Sequence, residues 1–321
     1  MKHKEILLFG ATGQIGRNLI RRLTKNNYKI IAVTRNIHRA GYKIKTQANP
    51  GYLELIELNN FDNNKIESIM RSCSICINLI GILYETKNQK FKTYHTDLPD
   101  MLSKIANKTG IEKFIHFSAL GIEDAVKSKY AVSKLNGEKK VLENFKNSII
   151  VKPSIVYSVD DNFTTNFMTL LSRLPFMPLY YNGKTKFMPI HVSDIIDILI
   201  GLIHEKNNNL ILECVGPEVL TFKQIIQNIL LSINKKRILV PLPYTLAKIS
   251  AKILQILPKP LLTEDQLELL KFDNVKSGKY KTNFELGFGS NKLFKNEIEK
   301  YSYNWKTGGQ FSRNKNIINT K

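Results

Sequence analysis

Cysteine is scarce in this chain of 321 residues: Cys73, Cys76 and Cys214 are all there are. Cys73 and Cys76 form a lone Cys-x-x-Cys beside the apolar run Ile75–Ile80. Zinc would need a second ligand pair, so no metal site is expected, and the thiols read as buried in a reducing compartment. Acidic residues are also short, 27 against 48 Lys and Arg, for a net charge of +21. Such an excess can serve nucleic acid or an anionic membrane surface. The lysines are scattered, and no basic helix carries interleaved aromatics, so nucleic acid is not expected as a partner. The abundance of Lys, Asn and Ile reads equally well as the bias of an AT-rich genome. No apolar run reaches the ~18 residues of a membrane span. The stretch Ile195–Ile203 is interrupted by Asp197 and reads as a core helix. The opening MKHKEILLFG stops its apolar run at Gly10, so Lys4–Phe9 reads as a first strand and not as a secretory signal. No internal repeat is present. Length and 43% hydrophobic content suit about two domains.

After that strand comes GATGQIG, residues 10–16, and then an amphipathic helix through Ile15, Leu19, Ile20 and Leu23. Strand, glycine turn and helix together make a dinucleotide motif credible. Gly10 permits the tight turn, Gly13 lets backbone approach a pyrophosphate, and Gly16 lets helix pack on strand. The helix start then offers free N–H groups, from Thr12 through Gln14 and Ile15, to phosphate. The second strand, Lys29–Val33, ends in Thr34-Arg35-Asn36, with no acid to take the ribose hydroxyls of NAD. Arg35, with Arg39 nearby, suits a 2′-phosphate, so NADP(H) is favoured over NAD(H). Strands at Tyr52–Leu58, Ser74–Ile80, Lys113–Ser118 and Ser148–Val151 alternate with helices at Asn63–Arg71, Phe91–Thr109 and Lys129–Phe145. Pro99 is placed to break or kink the second of these helices. The pattern predicts an α/β fold, a Rossmann-type doubly wound parallel sheet with a smaller, mostly helical C-terminal lobe. The division is 1–152 for the dinucleotide-binding domain, 153–306 for the lobe, with strands returning to the sheet, and 307–321 for a polar tail expected to be disordered.

The stretch SALGIEDAVKSKYAVSK, residues 118–134, holds Tyr130 and Lys134 one helical turn apart. In this setting a phenol exchanges a proton with a carbonyl or hydroxyl. The lysine lowers the phenol pKa and holds the nicotinamide ribose. A Ser or Thr at the preceding strand end, here Ser118, would orient the substrate. Gly81, after Ile80 at the end of the fourth strand, leaves room for the cofactor to pass.

These residues, with INLIGILYE (77–85), FIHFSALG (114–121), YAVSKLNGE (130–138), PSIVY (153–157), DNF (161–163), FMPIHVSD (187–194) and LTEDQLELLKFDN (262–274), make the chain resemble the atypical and extended short-chain dehydrogenase/reductases of NAD-dependent epimerase/dehydratase type. More narrowly, it resembles the nucleotide-binding accessory subunit family of respiratory complex I. The resemblance implies a nicotinamide dinucleotide on the glycine turn, Arg35, Ile80, Gly81, Ser118, Tyr130, Lys134, Pro153 and Ile155. It implies subunits of the membrane NADH:quinone oxidoreductase as partners, and a cytoplasmic protein, peripheral on the inner membrane. One departure stands out: Ala119 and Leu120 occupy the positions where working members carry the catalytic Ser or Thr. Ser158-Val159 and Lys152 also depart from the Gly-Pro and Arg of sugar-nucleotide enzymes. The expectation is therefore an accessory or assembly factor with a tightly held structural nucleotide. The alternative is an active NADPH-dependent reductase or epimerase-like enzyme, linked to quinone biosynthesis, using Tyr130 and Lys134.

In the second half, helices are expected at Asn162–Leu174, from Ser193 as N-cap to Ile203, and at Thr221–Ile233. Strands are expected at Phe187–His191 and Leu210–Val215. His191 is read as structural. Tyr244–Leu257, with Leu246, Ile249, Ile253, Ile256 and Leu257 at helical spacing and Lys248 and Lys252 among them, reads either as a core helix or as one lying on an anionic membrane or a partner subunit. Thr263 to Gln266 forms a capping box.

Overall fold

The computed structural model describes residues 5–205, 209–255, 260 and 262–309. Lys4, Ile256, Leu257 and the tail from Gln310 onward lie outside the described residues, as does the side chain of Ile253. The first half builds six parallel strands, β1 (Glu5–Phe9), β2 (Lys29–Thr34), β3 (Leu53–Glu57), β4 (Ile75–Asn78), β5 (Lys113–Phe117) and β6 (Ser148–Pro153). Strands Leu210–Cys214 and Lys281–Thr282 extend the sheet beyond β6, so it runs from Lys281–Thr282 through β6, β5, β4, β1 and β2 to β3. The order reverses between β1 and β4, which opens a crevice above their C-terminal ends.

The strand sequences read as near-continuous apolar runs because both faces of the sheet are covered. Ile6 and Leu8 of β1 join one core with Leu19, Ile20 and Leu23 of helix α1 (Gln14–Lys25) and with the helix Val192–His204. Leu7 and Phe9, pointing the other way, join a second core. That core includes Ile66 of α3 (Asn63–Met70), Leu102 and Ala106 of α4 (Leu98–Thr109) and Val141 of α5 (Lys129–Asn144). Helix α2 (Ile37–Lys45) follows β2.

The stretch Phe91–Thr109 is helical, but its first turns, Lys92–Asp97, are π-helix. Pro99 has no N–H and falls in the first turn of α4, where none is needed. The widened turn absorbs the change of register that a proline forces on a continuous helix. Gly137 of α5 packs directly on it: a Cβ there would stand 1.9 Å from the carbonyl oxygen of His95.

A third core fills the C-terminal lobe, between the helices Thr164–Arg173, Phe222–Ser232 and Phe294–Glu299. Thr221 with Gln224 and Thr263 with Gln266 form reciprocal capping boxes. Two expectations are corrected. Phe187–His191 is not one strand: Pro189 has no N–H to donate, and the segment divides into Lys186–Phe187 and Ile190–His191, paired with different partners. Ser193 is not an N-cap. The helix begins at Val192, and His191 caps it by accepting from the Ser193 N–H. The helix Tyr244–Leu254 turns Ala247 and Ala251 inward, while Tyr244, Leu246 and Ile249 face outward.

Helix propensity alone would reward Gly137→Ala by about 1 kcal/mol. The clash is with backbone, which cannot yield, and overpacking of this kind costs about 1–3 kcal/mol. Gly137→Ala therefore lowers the urea midpoint, and a raised midpoint would contradict this packing.

Candidate functional site

At the end of β1, Gly10 adopts φ +82°, and a Cβ on it would stand 2.9 Å from the carbonyl carbon of Leu79. A Cβ on Gly16 would stand 2.5 Å from the Gly10 carbonyl oxygen, so α1 packs on the turn without a spacer. Gly13 is the N-cap of α1 and makes no side-chain cap, and the first turn carries no acid. The positive end of the helix therefore opens on the crevice, a cradle fit for a diphosphate. Thr12 and Gly13 are exposed there. The turn is braced from the lobe: the Gln14 amide donates to Ser158 Oγ (2.8 Å), and Arg17 pairs with Asp160. At the end of β2, Arg35 and Arg39 are exposed and have no carboxylate partner among the described residues.

The other strand ends complete the site. A Cβ on Gly81 would lie 3.3 Å from Lys134 Nζ, so these two positions touch. Lys134 Nζ donates to the Phe117 carbonyl (3.0 Å), and burial pulls its pKa down to about 8. Tyr130 packs edge-on against Phe91 and His95, with centroids 5.7 and 5.2 Å away. Burial, and then the charge of Asp265, pushes its pKa up to about 12, so in this chain the phenol is not lowered as the Tyr–Lys spacing suggested. Pro153 and Ile155 lie at the end of β6, where their carbonyls accept from Leu120 and Ile190.

Ser118 goes elsewhere. Its hydroxyl donates to Glu138, whose carboxylate also holds Lys152 Nζ (3.0 and 3.1 Å). Glu123 is the second carboxylate on Lys152, and the ammonium lies 5.4 Å from the centroid of the Tyr280 ring. Lys152 is fully buried, and burial raises the pKa of Glu138. Leu120 packs into a small core with Met188 and Val215.

Sequence reasoning missed three groups. Asp265, in LTEDQ, caps α5 from the lobe: it accepts from Ser128 Oγ (2.9 Å) and from the N–H groups of Lys129 (2.6 Å) and Tyr130 (3.2 Å). His95 lies buried between Ile82 and Ser133. His116 is buried under the site: Asn78 spends its oxygen on the Ile80 N–H and turns its NH2 to the ring, 3.2 Å away. His116 Nδ1 therefore accepts, and its Nε2 has no partner among the described residues. Only the long-range contacts reveal these roles, although Ser128 before α5 was a visible cap signal. No helix among the described residues is long and apolar enough to cross a membrane, and no cluster of metal-ligating side chains occurs among them.

Residues 6–212 match the model of the NAD dependent epimerase/dehydratase family. The chain belongs to that family. It is 26% identical over 282 residues to the mitochondrial NADH dehydrogenase [ubiquinone] 1 alpha subcomplex subunit 9 of Arabidopsis thaliana, covering 84% of this chain and 70% of that one. It is also 26% identical over 283 residues to the mitochondrial NADH-ubiquinone oxidoreductase 40 kDa subunit of Neurospora crassa, covering 87% and 74%. Among solved structures, a dTDP-glucose 4,6-dehydratase, DesIV of Streptomyces venezuelae with NAD bound, superposes with a TM-score of 0.70 at 15% identity, over 94% of this chain and 96% of that one. This last likeness concerns the fold. The family and the cradle together make this a nicotinamide dinucleotide site. When bound, the nucleotide would supply a hydride donor or acceptor. The residues that would hold it are the Gly10–Gly16 turn, at its diphosphate, and Lys134 and Tyr130 beside Gly81.

Burial depresses the His116 pKa from 6.5 to about 3, with Lys134 adding to the effect. Between those values the unfolded chain binds a proton that the folded chain refuses. Stability is thus present above pH 6.5 and is lost on acidification, by about 1.4 kcal/mol per pH unit for this group. Urea titrations of His116→Gln from about pH 6 to about pH 4 should show a slope shallower by that amount. An unchanged slope would contradict the assignment.

Proposed function

We propose that this chain is an accessory or assembly subunit of a membrane NADH:quinone oxidoreductase that holds NADP(H) as a structural nucleotide. The observation that carries this reading is the division within the site. The cradle, Gly81, Lys134 and Tyr130 are kept, while the Ser118 hydroxyl is consumed by Glu138 and the next two positions are Ala119 and Leu120. Such a site holds a nucleotide and lacks the hydroxyl that orients a substrate. A nucleotide bound only by the folded state stabilises it by mass action. The mitochondrial relatives support the choice of partner. Arg35, His38 and Arg39, exposed past β2, favour the 2′-phosphate.

The outer face of the lobe supports a docking role. Phe176 and Ile238 on the paired strands Phe176–Tyr180 and Ile238–Leu242 are 53% and 70% exposed. Leu246 and Ile249 on the adjoining helix are 52% and 54% exposed, with Lys248 between them and Lys252 three residues past Ile249. Apolar side chains interleaved with lysine suit the partner complex at an anionic membrane surface.

The second reading, an active reductase or epimerase-like enzyme, is favoured by the Tyr130 hydroxyl, which has no partner among the described residues. Under it, Tyr130→Phe abolishes turnover while sparing nucleotide binding.

Mass spectrometry of the purified protein should find about one NADP(H) per chain. Arg35→Glu should weaken NADPH binding about 10- to 100-fold and NADH binding much less. Equal losses for the two nucleotides, or NAD(H) as the resident species, would overturn the cofactor assignment.

A further inference from the structure

His95 sits where no motif directs attention, in the π-helical turn before α4, yet it touches both sides of the nicotinamide end of the site. The Ile82 N–H donates to His95 Nε2 (3.0 Å). On the opposite edge of the ring, Nδ1 lies 2.9 Å from Ser133 Oγ. Ser133 Oγ in turn donates to the Tyr130 carbonyl (2.7 Å). A hydroxyl that has donated its hydrogen must accept from the ring, so His95 carries its proton on Nδ1 and stays neutral. Burial supports the same state, since it holds the His95 pKa down to about 2.

The connection has a direction and a fixed length. It runs from the backbone just past Gly81, through an aromatic ring, to the backbone of Tyr130. Lys134 Nζ would be 3.3 Å from a Cβ on Gly81, and His95 Nε2 would be 3.9 Å from it, so lysine, histidine and glycine meet at one point. The ring is clamped from its faces and edges. Phe91 stacks on it at 5.3 Å with an interplanar angle of 22°, and Tyr130 meets it edge to face at 86°. The turn that carries it cannot drift, because Thr96 donates to the Ser133 carbonyl (2.9 Å) and Gly137 presses on the His95 carbonyl. Because its two nitrogens bond to different elements, the ring couples the Gly81–Ile82 backbone to α5.

We propose that His95 is a positioning residue for the nicotinamide half of the dinucleotide. It sets the height of the Gly81–Ile82 backbone against Tyr130 and Lys134, and so fixes the gap into which the nicotinamide ribose enters. The proposal rests on the reading of this crevice as a dinucleotide site. It makes no use of the adenine half, which the proposed reading assigns to the end of β2 at Arg35.

The test separates the two halves of the ligand. Binding of NADPH and of adenosine 2′,5′-bisphosphate, which lacks the nicotinamide half, is measured by calorimetry on the full chain freed of nucleotide. His95→Ala should weaken NADPH about tenfold, the worth of a lost buried hydrogen bond or two, while the bisphosphate binds within about twofold of wild type. Ser133→Ala removes one partner without touching the ring packing and should weaken NADPH about threefold, again sparing the bisphosphate. Should His95→Ala fail to fold, Ser133→Ala decides alone. Parallel losses for both ligands, or no loss for either, would overturn the positioning role. Wild-type protein that binds neither ligand would overturn the dinucleotide reading beneath it.

Discussion

At the end of β1 the chain turns at Gly10 with φ +82°, and there the backbones of Leu79, Ala11 and Gly16 come within distances that no side chain would tolerate. This close approach fixes the rest. It sets the first turn of α1 against the sheet and leaves the helix N-terminus uncapped over the crevice. It seats β4 against β1, so that Gly81 emerges beside Lys134. The same device recurs at Gly137, where α5 lies on the His95 carbonyl and carries Tyr130 and Lys134 into place. Three absent side chains thus determine where one phosphate cradle, one ammonium and one phenol stand. The arrangement is rigid because the contacts are backbone on backbone.

The electrostatics beneath the site divide the same way. The buried ammonium of Lys152, with carboxylates of Glu123 and Glu138, forms a cluster that draws in the Ser118 hydroxyl. Breaking such a buried cluster leaves an uncompensated charge, so its members are held in place by desolvation as much as by attraction. That is why Ser118 belongs to the interior and not to the crevice. Lys134, by contrast, spends one bond on the Phe117 carbonyl, and burial makes it a weaker base than a free lysine. Asp265 ties the lobe to the start of α5. The position of Tyr130 is therefore set jointly by both halves of the chain.

Much of this was legible in the residues. Continuous apolar runs gave the buried parallel strands, the spacing of Gly10, Gly13 and Gly16 gave the cradle, and Tyr130 with Lys134 gave a shared helical face. Thr221 and Thr263 announced their helices through Gln224 and Gln266. What could not be read depends on long-range contacts. Nothing local distinguishes Asp265 from its acidic neighbour Glu264, because its role comes from Ser128, far away in sequence. His95 looks like any helical residue until the π-turn aims it. Ser193 resembled an N-cap, but the His191 ring supplied a competing acceptor. Leu246 and Ile249 had the spacing of a core stripe, yet the smaller Ala247 and Ala251 won the inward face because the helix packs closely on Tyr180 and Leu267.

In the proposed function, the cradle holds a nucleotide so that the lobe can dock on a membrane-bound quinone-reducing assembly. The most direct measurement is a native gel of gently solubilised membranes, with the chain located by mass spectrometry. Wild type should comigrate with the NADH:quinone oxidoreductase, and a Leu246→Glu, Ile249→Glu double variant should be lost from that band while retaining its nucleotide. Migration of the wild type as a free protein would overturn the docking role and return Tyr130 to the role of a catalyst.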